Sequence, residues 1–297
     1  MIRVLLAALL ILPHICLAQI SIEDRLADGQ TPMIIAHRAL GGDFPENSLA
    51  GIRYAIERGI DAVEIDVQIT ADGQYIVFHD PTLNRMTNVE SVFEVGPPAG
   101  PTREQRGGRD FVADYTLEEI QRLRLLENGV PGDHPIPTLR EALDLIEGRL
   151  LVILDLKASD LGGFPAHLEG RDTRQFLVFS SDPEIMLEMA EATGAGIYAS
   201  LRRSRSLESG DAFANLETQA GILGPHLSLA STESRQVTPE LLARAVELGV
   251  GISVLGTGRE DFYLGEGDLS VWQDTLQNGA VAFMTSFPDE VLQLLDR

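Results

Sequence analysis

Seven ionisable side chains stand where short apolar runs end in this chain, and their types suit acid–base, cation and anion chemistry. His37 follows the apolar residues 33–36 and precedes Arg38; His79 follows residues 75–78 and precedes Asp80. Two imidazoles can divide proton donation and acceptance near neutral pH. Glu64 and Asp66 lie two apart in one apolar run, and Asp155 and Lys157 lie two apart at the end of another. In a strand, that spacing puts both members of a pair on one face. Glu64, Asp66 and Asp155 are hard oxygen ligands that suit Ca²⁺ or Mg²⁺, and without a cation they would repel one another. A zinc site is not indicated, because no histidine pair has metal-ligand spacing. Lys157 is the only lysine, beside 22 arginines. Its compact ammonium suits a phosphate oxygen as a point charge, whereas Arg38 can grip two oxygens at once. One acidic residue at a strand end is usually a solvated charge; the joint pattern is what carries weight. His134, His167 and His226 sit in Gly- and Pro-rich surroundings and read as loop residues.

The elements that must hold these groups alternate between strand and helix. Apolar runs at 33–36, 62–67, 150–154, 176–179, 196–199, 221–223, 251–255 and 281–284 read as core strands, with 75–78 forming a hairpin through the Asp72-Gly73 turn. Between them lie helices. One is capped by Asn47, buries Leu49, Ile52 and Ile56, and stops at Gly59. Thr116 with Glu119 and Thr138 with Glu141 are capping boxes; Thr238-Pro239 and Pro288 open two further helices. About eight strands alternating with helices in roughly 270 residues predict an α/β fold, a (β/α)8 TIM barrel. No G-x-G-x-x-G follows the first strand and no P-loop is present, so the rival open sheet lacks its commonest ligand signatures. Residues 88–109, rich in Pro and Gly, read as an insertion in a βα-loop.

The 297 residues, 44% of them apolar, are enough for one large core and rule out wholesale disorder. A formal net charge of −22 argues against nucleic acid as a partner, because such a field repels phosphate polymers. Residues 1–18 carry Arg3, an apolar run over 4–12 and small residues near Ala18, the pattern of a secretory signal peptide. The run is too short to cross a bilayer, which takes roughly 20 residues. The expectation is a periplasmic or secreted protein with no stable membrane insertion after cleavage. The one cysteine, Cys16, leaves with the leader.

The blocks at 36–48, 64–66, 70–74 and 77–80 closely resemble the glycerophosphodiester phosphodiesterase family, and the likeness continues through 136–141, 154–157 and 284–289. The resemblance implies one TIM-barrel phosphodiesterase domain over residues 19–297. It also implies a divalent metal, calcium or magnesium, and hydrolysis of a small-molecule glycerophosphodiester to sn-glycerol 3-phosphate and an alcohol. Carried over residue by residue, it gives His37 and His79 the acid–base roles and Glu64, Asp66 and Asp155 the metal. Arg38 and Lys157 take the phosphate, and Glu46 is a supporting residue beside the site. Which imidazole is the acid, and whether a substrate hydroxyl or a water attacks, stay open here. The chain departs from the family pattern at Ala39 (usually glycine), Asp155 (often glutamate) and Ser286 (usually aspartate). A further departure is residues 254–258, where relatives commonly carry an aromatic Trp-Thr-x-Asn element. Trp272 lies too far along to replace it. Two other readings use the same residues: a phospholipase-like enzyme acting on lysophospholipid or phosphoinositide diesters, and a catalytically degenerate secreted binding barrel.

Overall fold

The computed structural model describes residues 21–28, 31–158, 160–202, 207 and 209–297; the leader expected over residues 1–18 lies outside them. Eleven strands are present among the described residues: β1 (Met33–Ala36), β2 (Ala62–Ile69), β3 (Tyr75–Val77), β4 (Leu126–Glu127), β5 (Val130–Pro131), β6 (Leu151–Leu156), β7 (Phe176–Phe179), β8 (Gly196–Ser200), β9 (Leu227–Thr232), β10 (Gly251–Leu255) and β11 (Ala282–Thr285). Eight of them run parallel in the cyclic order β1, β2, β6, β7, β8, β9, β10, β11, and pairing of β11 with β1 closes the barrel. β3 folds back antiparallel on β2, as the Asp72-Gly73 turn predicts.

Period-two alternation in β2 explains how the barrel is both packed and reactive. Val63, Ile65 and Val67 point outward into the large cluster beneath the helices, while Ala62 joins an inner cluster with Met33, Ile35, Ile153 and Leu177. Glu64 and Asp66 share the inward face of Ala62. Parallel register sets Asp66 opposite Asp155 on β6. Three carboxylates therefore sit above an apolar plug, at the C-terminal end where barrels carry their chemistry.

Helix boundaries follow the caps with two corrections. Both predicted capping boxes form, at Thr116–Glu119 and Thr138–Glu141. The helix Leu49–Arg58, however, is capped by Ser48, whose hydroxyl accepts the Gly51 N–H; Asn47 is one residue too early and turns inward. Residues 221–223 are not a strand: they end the helix Ala212–Leu223, capped at its start by Asp211. The strand is β9, whose Ser- and Thr-containing sequence gives a weak apolar signal.

Residues 88–109 belong to a larger unit between β2 and β6, with its own core of Phe78, Leu83, Phe93, Tyr115, Leu123 and Ile136. Arg103 ties that segment down by donating to Asp110 and to the Phe93 and Glu94 carbonyls. Gly51 marks another tight spot. A Cβ there would lie 2.3 Å from the Ala39 carbonyl oxygen. Gly51→Ala is expected to destabilise the protein by about 1–3 kcal/mol, the usual scale of overpacking. Chemical denaturation checks this, and an unchanged midpoint would contradict the contact.

Candidate active site

The loop after β1 is strained in a way that serves the cluster. Arg38 (φ 53°) and Ala39 (φ 50°) are both left-handed, and Asn47 (φ 57°) closes the same loop by donating its N–H to the Arg38 carbonyl at 2.7 Å. Left-handed backbone costs a non-glycine residue roughly 1–2 kcal/mol. The position where relatives carry glycine thus requires positive φ, and alanine bears that strain here. In return, the Arg38 N–H is aimed at Glu64 and donates to Oε2 at 2.7 Å. Asn47 donates to Asp66 Oδ2 at 2.7 Å and accepts the Asp66 N–H at 3.1 Å, fixing that carboxylate's orientation.

Glu64, Asp66 and Asp155 are buried, and each offers a carboxylate oxygen within 4.8 Å of the others. Burial, with the charges of Asp66 and Asp155, raises the Glu64 carboxyl well above the ordinary carboxylate range. Burial likewise raises Asp155, to about 6. Such a set of hard donors fits Ca²⁺ or Mg²⁺, with waters completing the shell. Lys157 Nζ lies 2.5 Å from Asp155 Oδ2 and 3.1 Å from Asp66 Oδ1. Burial works against its charge, but Asp155 and Asp66 outweigh it and hold the ammonium above its ordinary range.

His79 is held from both sides. Its Nδ1 is 2.6 Å from Asp80 Oδ1, and its Nε2 is 2.8 Å from an Arg38 Nη2. A carboxylate only accepts and a guanidinium only donates, so in this arrangement the ring is the neutral Nδ1–H tautomer. Asp80 stays ionised: despite burial, hydrogen bonds from Arg85 and His79 lower it to about 2. Arg38 also reaches Glu46 at 3.1 Å, and Arg85 donates to both Glu46 and Asp80, closing a ring of alternating charge. His37 sits opposite, with Nδ1 3.2 Å from Ser286 Oγ. Burial, seconded by the Arg38 guanidinium, lowers His37 to about 4.

All eight residues singled out in the sequence lie at this one mouth. Sequence reasoning missed Asp80 as a partner of His79, Arg85 as the clamp on Glu46 and Asp80, and Asn47 as the residue that orients Asp66. It also missed Asp261, which is buried and accepts the Thr285 hydroxyl, the Trp272 indole N–H and the Ser286 N–H. Only the adjacency of Asp80 to His79 carried a signal. Trp272 is fully buried against Phe283 and does not face the mouth.

Residues 37–157 match the Glycerophosphoryl diester phosphodiesterase family. Over these residues the chain is similar to that family. The match begins at His37 and ends at Lys157, and every site residue named above from sequence lies within it. The Glycerophosphodiester phosphodiesterase of Caldanaerobacter subterraneus subsp. tengcongensis is 36% identical over 132 residues, 42% of this chain and 45% of that protein. Human Glycerophosphodiester phosphodiesterase 1 is 35% identical over 129 residues, 41% of this chain and 33% of that protein. The matched stretches thus span less than half the length of these curated relatives. A crystal structure of glycerophosphodiester phosphodiesterase from Agrobacterium tumefaciens superposes with a TM-score of 0.67 at 22% identity, over 89% of this chain and 100% of that one. One from Parabacteroides distasonis gives 0.69 at 21% identity, over 93% and 92%. At that identity the likeness establishes the closed barrel, and the family's site residues rest on the 37–157 match.

Proposed function

We propose that this protein belongs to that family and hydrolyses soluble glycerophosphodiesters to sn-glycerol 3-phosphate and an alcohol. The observation that carries the reading is the convergence of three buried carboxylates, two imidazoles and two cations at one barrel mouth. Glu64, Asp66 and Asp155 would hold Ca²⁺ or Mg²⁺. A hard cation there supplies charge to offset the negative charge that gathers on the phosphoryl oxygens.

The chain's own residues do the rest. Arg38 and Lys157 bring fixed positive charge to the phosphoryl group, and Glu46 with Arg85 holds the Arg38 fork in place. His37 is the base. Burial keeps its ring neutral at pH 7, ready to take a proton from the attacking hydroxyl. His79 is the acid. Asp80 holds the Nδ1–H, which leaves Nε2 as the atom that takes up a proton in place of its contact with Arg38 and delivers it to the departing alkoxide.

A soluble diester is favoured over a lipid because the 88–109 segment keeps Phe93 buried and, of its apolar residues, leaves Val95 strongly exposed. Incubation with glycerophosphocholine is expected to release choline and sn-glycerol 3-phosphate. Release of phosphocholine and glycerol, or no product from a panel of such diesters with Ca²⁺ and Mg²⁺ supplied, would refute the proposal.

A further inference from the structure

We infer that a recess formed at the ends of β8, β9 and β10 receives the alcohol part of the substrate and favours alcohols that carry a further anionic group. The inference rests on the hydrolytic reading above and adds the class of alcohol. The recess encloses about 460 Å³, and Arg202, Arg235 and Arg259 line it with Glu233, Glu260 and Leu255. It opens on the same rim as the two histidines. Arg202 follows β8, Arg235 follows β9 and Arg259 follows β10, as His37 follows β1. The barrel order puts the β10 edge of the recess, with Arg259, two strand spacings from His37, about 10 Å, while Arg202 after β8 faces His37 from the opposite side of the mouth. A short alcohol chain and an arginine side chain together bridge that gap. The two places are also joined structurally: Gly256 donates its N–H to the Met284 carbonyl, and Asp261 holds the Ser286 N–H that lies beside His37.

Among the described residues that line the recess, cations outnumber carboxylates by one. Glu233 is taken by Arg235 at 2.6 Å, and Arg202 stands 3.8 Å from the same carboxylate, too far for a hydrogen bond. Glu260 is buried in the wall, where its Oε1 accepts the Ser234 and Thr275 hydroxyls, and Arg259 lies 3.5 Å away. Among the described residues, three guanidiniums thus face two carboxylates that already have partners. The side chains of Arg202, Arg235 and Arg259 are 53%, 76% and 61% exposed, so their N–H groups are open to a ligand. In a chain of net charge −22, this is a local positive field. At the catalytic end the contrast is plain, because Arg38 and Lys157 are already committed to the site's own carboxylates. The recess therefore offers a second, separate anion-binding position, suited to a phosphoryl or carboxylate group on the leaving alcohol. It also lies outside residues 37–157, in the part of the chain the family match does not reach.

The test compares kcat/KM at low salt for four diesters. Glycerophosphocholine and glycerophosphoglycerol have alcohols without an anionic group. Glycerophosphoserine carries a carboxylate, and glycerophosphoglycerol with a terminal phosphate carries a phosphoryl group. The wild type is expected to prefer at least one anionic diester by about tenfold, the scale of one charge-assisted hydrogen bond. The Arg202→Gln/Arg259→Gln double variant should lose that preference and keep its rate on glycerophosphoglycerol. Which anionic diester is preferred separates carboxylate from phosphoryl recognition. Equal rates on all four in the wild type, or an equal fall on all four in the double variant, would overturn the inference. If no diester is turned over, the hydrolytic reading fails, and the recess is tested alone by titrating sn-glycerol 3-phosphate and following backbone amide shifts by NMR. Perturbation of residues 257–260 in the wild type and not in the double variant supports an anion site there; no perturbation, or the same in both, overturns it.

Discussion

His79→Ala is expected to lower kcat on glycerophosphocholine by about 10²–10⁴-fold, the usual contribution of general acid–base catalysis. The loss should depend on the leaving group. If His79 protonates the departing oxygen, a diester of glycerol 3-phosphate with p-nitrophenol, which leaves readily as an anion, needs little help from an acid. The defect should then shrink sharply on that substrate. His37→Ala should lose a similar factor on both substrates, because the base is needed whatever departs. Its pH signature is also distinct. Burial lowers His37 to about 4, so the free base persists through the neutral range and is lost only as the pH falls through that value. With Ca²⁺ or Mg²⁺ kept saturating at each pH, so that Glu64 and Asp155 stay ionised, kcat/KM of the wild type should therefore hold down to about pH 5 and drop below it. The reverse leaving-group pattern would exchange the two roles, and wild-type rates in either variant would remove that histidine from the chemistry. Asp80 explains why the assignments differ: it backs only His79, whereas His37 meets a neutral serine hydroxyl.

Much of this site was legible in the sequence because barrel strands convert spacing into direction. Glu64 and Asp66, two apart, had to share a face, and Asp155 met them because the register of β2 and β6 pairs it with Asp66. Thr116 and Thr138 announced their helices because a capping box is local in sequence. Residues whose role depends on tertiary approach were not legible. Asn47 looks like a helix cap, and Ser48 takes that role because the chain enters the helix one residue later, freeing the amide for Asp66. Arg85 and Asp261 act across the rim on Asp80, Glu46 and Ser286, contacts that no pattern along the chain encodes. β9 was displaced because its Ser231 and Thr232 face a buried environment without being apolar. The recess near Arg259 gave no signal either, since arginines at 202, 235 and 259 are far apart until β8, β9 and β10 pair.

Glu64→Gln should separate activity from stability, moving them in opposite directions. Within the metal-free chain, three buried carboxylates face one lysine, and Glu64 bears the cost as a carboxyl group raised well above its ordinary value of 4.5 by burial, Asp66 and Asp155. The folded chain therefore holds a proton at Glu64 that the unfolded chain releases, so metal-free stability declines as the pH rises above the ordinary carboxyl range. Glutamine removes that cost and still offers an oxygen to the Arg38 N–H, so the metal-free variant at pH 7 should melt at a higher temperature than the metal-free wild type. Adding Ca²⁺ or Mg²⁺ reverses the order. The wild type should gain stability as RT ln(1 + [L]/Kd), because the ion binds only the folded state, and the variant should gain far less. Activity should follow the metal: several kcal/mol of charge stabilisation, at about 1.4 kcal/mol per tenfold, corresponds to a loss on the order of 10³-fold in Glu64→Gln or in chelated wild type. Thermal melts and initial rates on the same samples, with and without chelator, read both effects. A wild type whose Tm and rate ignore both chelator and added cation would leave these carboxylates without a metal role, and the charge at the barrel mouth would then have to be balanced by Lys157 and Arg38 alone.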